Sequence, residues 1–186
     1  MLYLLDANIL ITAANTYYGI KQVPEFWTWL LHQAESGAIK IPLEMYEEVI
    51  EGRKEGDELL GWIKNDAHRG ALVFDEPCKI DFVQRVVRAG YAGDLTDDEV
   101  EKIGRDPFLI SYGLIGPERC IVTTEISKPS KTRHNRHIPD VCQTLKVKCC
   151  GPWELNRQLA LRQAGRCRSL IPSICATVSS LKHWRC

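Results

Sequence analysis

Five acids in this chain stand at the start or end of a backbone element. Asp6 closes the apolar run Met1–Leu5, Glu48 precedes Val49-Ile50 in a helical stretch, and Asp106 stands directly before Pro107. Glu125 follows the run Cys120-Ile121-Val122-Thr123-Thr124, and Asp140 follows Ile138-Pro139. Acids gathered at one point repel each other, so at least one must take up a proton at raised pKa unless a cation neutralises them. The cation such a cluster suits is hard and divalent, preferring oxygen ligands and retaining several waters. Each acid also has a plainer reading: Asp6 as a strand-end cap, Glu48 as a solvated helix residue, Asp106 and Asp140 as helix caps beside prolines.

The elements that must carry these acids follow from patterning. Met1–Leu5 reads as a buried first strand delivering Asp6 to its C-terminal end, where open α/β sheets place their sites. Ile9–Ala14 begins a helix that Asn8 could cap, and Pro24 opens a second helix running to about Ser36-Gly37. Trp27 and Trp29 cannot share one face of that helix, so one packs inward. Ile39–Ile41 is a short strand stopped by Pro42. Helices are expected over Leu43–Glu51 and Glu58–Lys64, and Ala71–Phe74 reads as a strand. Glu47 and Glu48 point about 100° apart, so only one can reach a given pocket, and Glu48 is the candidate. The spacing of Ile80, Val83, Val86 and Val87 predicts an amphipathic helix from Glu76 to about Gly90. Asp106 as cap and Pro107 at the next position start an apolar helix through Leu114. Cys120–Val122 is a strand, Ser127–His137 a basic loop, Ile138–Leu145 a helix, Val147–Cys149 a last strand and Trp153–Leu161 a last helix. Periodicity alone stops at a small α/β domain.

At 186 residues, 45% hydrophobic and 26% charged, the chain has ordinary globular composition and room for one sizeable core. The apolar start leaves no space for a signal segment, and no run is long enough for a membrane span, so the expected location is the cytoplasm. Lys plus Arg match Asp plus Glu at 24 each. Bases nevertheless collect between Lys128 and Lys148 and again in the tail, while acids collect between Glu44 and Glu101. An acidic site bordered by basic surface suits a metal-dependent enzyme acting on a polyanion; charge segregation without function is the alternative. The eight cysteines include no CxxC pair, and are expected as reduced thiols. Zinc ligation by Cys149, Cys150, His134 and His137 fits no common finger spacing.

Six words of the chain, in order, resemble the PIN-like ribonuclease superfamily and most closely the DUF4411 family. They are LLDANILI (4–11), YEEV (46–49) with DELLGWIK (57–64), RDPFLISYGL (105–114), IVTTE (121–125) and IPDVC (138–142). The resemblance covers residues 1–155 and implies a three-layer α/β/α domain with a short, mainly parallel sheet, leaving 156–186 as a helix end and weakly structured basic tail. It implies metal ligation by Asp6, Glu48, Asp106 and Glu125, with Asp140 as an alternate or fifth ligand. Glu125 stands where the family pattern more commonly has Asp. Asn8, Thr123 and Thr124 would support the site, and Lys128, Lys131, Arg133 and Arg136 would contact nucleic acid. The implied activity is Mg²⁺- or Mn²⁺-dependent hydrolysis of RNA by activated water, leaving a 5′-phosphate and a 3′-hydroxyl. The implied setting is a type II toxin–antitoxin pair, with an antitoxin partner and a homodimer expected by analogy. Two other readings remain open: a catalytically inactive RNA- or protein-binding module, and a structure-specific nuclease acting on DNA.

Overall fold

The run Leu2–Leu5 forms β1 at the centre of the sheet because apolar side chains on both faces suit a strand covered on both sides. The computed structural model describes residues 1–51 and 53–167. Its backbone divides into two units, Met1–Pro152 and Trp153–Cys186. In the first, β1, β2 (Ile39–Lys40), β3 (Arg119–Val122) and β4 (Lys148–Cys150) form an all-parallel sheet in the order β2-β1-β3-β4. Leu4, Leu5, Ile39, Ile121 and Val122 are fully buried, as helices cover both faces in a three-layer α/β/α arrangement. From β1 the chain crosses to β2 on one side, and from β3 it crosses to β4 on the other. The crevice between the ends of β1 and β3 is therefore a topological switch point, where open α/β sheets bind ligands.

Between the strands run α1 (Ala7–Thr12), α2 (Pro24–Glu35), α3 (Leu43–Ile50), α4 (Glu58–Ile63) and α5 (Asp66–Leu72). Then come α6 (Ile80–Arg85), α7 (Asp97–Ile103), α8 (Asp106–Ile115) and α9 (Ile138–Leu145), and α10 spans Pro152–Cys167. Among the described residues no helix is long and apolar enough to cross a membrane. Trp27 is the inward tryptophan, 2% exposed, and its indole N–H donates to the Tyr18 carbonyl at 2.6 Å.

Three local expectations are corrected. Ala71–Phe74 is not a strand: Asn65 caps the backbone N–H groups of Ala67 and His68, so α5 runs to Leu72 and Val73 makes a single bridge to Ile41. The helix expected from Glu76 begins at Ile80 and ends as a π-helical stretch, Val86–Tyr91. Asn8 lies inside α1, and Asp6 is its cap, accepting from the Asn8 N–H at 3.3 Å. The tail after Cys167 lies outside the described residues.

Helix α8 reaches the sheet through Gly113. A Cβ there would lie 2.6 Å from Val147 Cγ1 and 3.1 Å from Ile121 Cδ1, so the helix sits closer than any side chain permits. Gly113→Val is expected to cost about 1–3 kcal/mol by overpacking, more than any gain in helix propensity returns. Urea denaturation checks it; an unchanged midpoint would show that α8 can ride outward freely.

Candidate active site

Four of the five acids lie near enough to one another at the switch point for their charges to interact. Asp6, 2% exposed, is fixed by the sheet: its N–H donates to the Val122 carbonyl at 2.9 Å, continuing the pairing of β1 with β3. From the end of β3 the Thr123 hydroxyl donates to Asp6 Oδ2 at 2.7 Å and accepts from the Glu125 N–H at 3.1 Å. Thr123 thus links the two strand ends and turns the chain toward Glu125. Glu125 in turn accepts from the Ile138 N–H through Oε2 at 2.7 Å, satisfying a free donor in the first turn of α9. Thr124 is partly buried beside it.

Asp106 does not cap α8. Arg105 occupies the cap position without a side-chain cap, and Asp106 is the first helical residue. Its carboxyl is therefore not used up by the local role that the Asp-Pro word suggested. Burial, followed by the charges of Asp6, Glu125 and Glu48, pushes Asp106 up to about 8. Burial also raises Glu48, with Asp6 adding to the rise and Arg105 opposing it. Asp6 is raised by burial against the hydrogen bond from Thr123, with Glu125 repelling it further. Asp6, Glu48 and Asp106 each feel the charge of at least one other acid, although the acids come from four separate segments.

Two residues that sequence reasoning did not single out complete the surroundings. Tyr91, at the end of the π-helical stretch, is 7% exposed, and its hydroxyl closes no hydrogen bond of ordinary geometry. Burial and then the charges of Asp106 and Glu125 drive its hydroxyl far above the usual phenol range. That places a buried phenol against Asp106, close enough to lower the pKa of its carboxyl. π-bulges often mark functional positions, but nothing in the local sequence announces this one. Arg105 bonds Glu51 at 2.5 Å and approaches Glu47 at 3.8 Å, tying the head of α8 to the helix that carries Glu48. Its Nη1 is buried without a partner among the described residues.

Tyr91→Phe should leave stability unchanged or slightly higher, because it removes a buried hydroxyl that lacks a normal partner. It should also weaken Mn²⁺ binding near neutral pH by about threefold, since the hydroxyl lowers the Asp106 pKa. Calorimetric titration beside a melting curve reads both; weaker melting with untouched affinity would assign Tyr91 to packing alone.

Asp140 stands apart from this group. It is 4% exposed and accepts from the Ser127 hydroxyl at 2.5 Å and the Lys128 N–H at 2.8 Å. Burial would raise it, but these two donors together with the charges of His137 and Arg136 hold it below the usual carboxylate range. Both its oxygens are engaged in pinning the basic loop to α9. The four bases of that loop divide likewise. Arg133 is forked onto Glu99 and paired with Asp94, while Arg136 donates to the Gly90 and Asp140 carbonyls and to Thr144. Lys128 and Lys131 are exposed. His134 pairs with Glu99 at 3.0 Å.

Among the described residues no three acidic, histidine or cysteine side chains converge closely enough to form a ready ligand cage. Cys78, Cys120, Cys142, Cys149 and Cys150 are free thiols, as expected from the composition. The donor chemistry at the switch point nevertheless fits Mg²⁺ or Mn²⁺. All the donors are hard carboxylate oxygens, and such an ion needs only one or two of them directly while its waters meet the rest.

Fold and site together define a small parallel α/β domain with an acidic pocket at its switch point. The chain belongs to the DUF4411 family, a domain of unknown function, whose profile matches residues 3–163. No match was found among curated proteins, and none among solved structures.

Proposed function

We propose that the protein is a Mg²⁺- or Mn²⁺-dependent ribonuclease of PIN-like type. What supports the reading is the electrostatic coupling of acids from four separate segments at the switch point, where burial and the charges of Asp6, Glu125 and Glu48 drive Asp106 to about 8. A fold keeps such mutually repelling groups together at a cost in stability, and a divalent cation removes that cost. Asp6 and Asp106 would hold the ion, with Glu48 and Glu125 as further oxygen donors toward its waters. When bound, the ion supplies Lewis-acid polarisation of the phosphoryl group and activates water for in-line attack. Thr123 holds Asp6 in one orientation, and Glu125 is held by the N-terminus of α9, so the acids are positioned before substrate arrives. Lys128 and Lys131 are the loop bases available to the RNA backbone. No side chain acts as a covalent nucleophile. Membership of a toxin–antitoxin pair, an antitoxin partner and a homodimer follow from the PIN-like reading and belong to the same proposal.

Calorimetric titration with Mn²⁺ and cleavage of single-stranded RNA, for the wild type and Asp6→Asn, test it. Binding and Mn²⁺-dependent cleavage are expected in the wild type, with cleavage reduced on the order of a hundredfold or more in the variant. No difference in binding and no metal-dependent cleavage would sink the enzyme reading and favour a binding module. Parallel assays on DNA of the same sequence decide the nucleic acid.

A further inference from the structure

Beside the acids, a cleft of about 340 Å³ lies between the ends of β3 and β4 and the helix α9. Glu125 lines it, as does Thr123, whose hydroxyl donates to Asp6, so the cleft adjoins the acids. Its walls are of a different kind from the crevice. Pro139 and Val147 present aliphatic surface, Gln143 an exposed side-chain amide, and Gly151 no side chain at all. A Cβ built on Gly151 meets nothing within 4 Å, and this glycine lies outside the left-handed backbone region, so open space rather than conformation distinguishes it.

No lysine or arginine lines the cleft, and the one carboxylate is Glu125. A phosphate would find no counter-charge there. The part of a nucleotide that fits is the neutral, planar part bearing hydrogen-bonding edges. Gln143 offers a donor and an acceptor on one amide. Glu125 spends Oε2 on the Ile138 N–H and keeps Oε1 as a further acceptor. Two acceptors and one donor favour a base with an exocyclic amino group over uracil, which shows carbonyl oxygens in its place.

We infer that this cleft is a base-reading subsite, holding the nucleobase next to the scissile phosphate and preferring an amino-bearing base to uracil. The inference rests on the nuclease reading above for the position of the phosphate. Gln143 supplies the edge contact, Pro139 and Val147 cover the ring faces, and Gly151 leaves the ring its room.

The test uses the full chain and two variants, Gln143→Ala and Gly151→Ile, neither of which alters an acid of the crevice. A randomised RNA cleaved with Mn²⁺ should show uridine depleted about tenfold at one position beside the cut. Gln143→Ala should flatten that bias, and Gly151→Ile should raise KM with little change in kcat, both with Mn²⁺ affinity retained. Fluorescence anisotropy with short homooligomers of A, C and U, read in Ca²⁺, supplies an arm independent of cleavage. If the wild type does not cleave yet binds A or C over U, and Gln143→Ala erases the difference, the subsite stands and the nuclease reading falls. If it cleaves or binds without base preference and both variants match it, the subsite is overturned whatever becomes of the nuclease.

Discussion

Asp106→Asn should make the protein more stable than the wild type at pH 8 in the absence of added divalent cation, by about 2 kcal/mol. The sign follows from the raised acid. Asp106 has an ordinary value of 3.8 when unfolded and about 8 when folded, so the fold favours its protonated form. Below about pH 4 both states carry the proton and the stabilising contribution is complete. As pH rises toward 8 the unfolded chain releases the proton first, and that contribution is lost. Asparagine copies the neutral acid at every pH. The gain should therefore be absent near pH 4 and largest at and above pH 8. It falls short of the full linkage value because Asp6 and Glu48 are raised with it and share in the protonation. Urea midpoints across that pH range read it, and parallel curves for the two proteins would mean that Asp106 is not confined among the other acids. The same substitution should abolish metal-dependent cleavage, placing Asp106 among residues that a protein keeps at the expense of stability.

Mn²⁺ should supply to the wild type what asparagine supplies to the variant. At a free concentration a hundred times its dissociation constant the ion adds about 2.7 kcal/mol to the folded state. Because the acids must lose their protons to bind it, the gain should grow from pH 6 to pH 8. Asp106→Asn should lose most of it. Melting curves with Mn²⁺, and with K⁺ at matched ionic strength as control, separate specific binding from screening. Equal shifts in both proteins would place the ion elsewhere on the surface.

Much of the frame was legible from local chemistry. β1 is a short apolar run with an acid at its end, β3 repeats the device with Thr123 and Glu125, and both carry their polar residues to the same edge of the sheet. Proline at the head of α2, α8 and α9 marked three helix starts, because its fixed φ and missing N–H suit the first turn. The strand read at Ala71–Phe74 failed because a cap at Asn65 and a helix of only seven residues leave too short a pattern to separate from a buried strand.

The amino-acid sequence by itself determined which residues can form a parallel α/β core and which acids stand at its element ends, since both depend on neighbours a few positions away. Tertiary structure alone decided that Asp106 is free of capping, that Asp140 is committed to the basic loop, and that Arg133 and Arg136 serve the fold. It also brought Tyr91 and Arg105 to the acids. These roles arise from contacts between segments tens of residues apart, and the side chains that make them carry no local periodicity to reveal their partners.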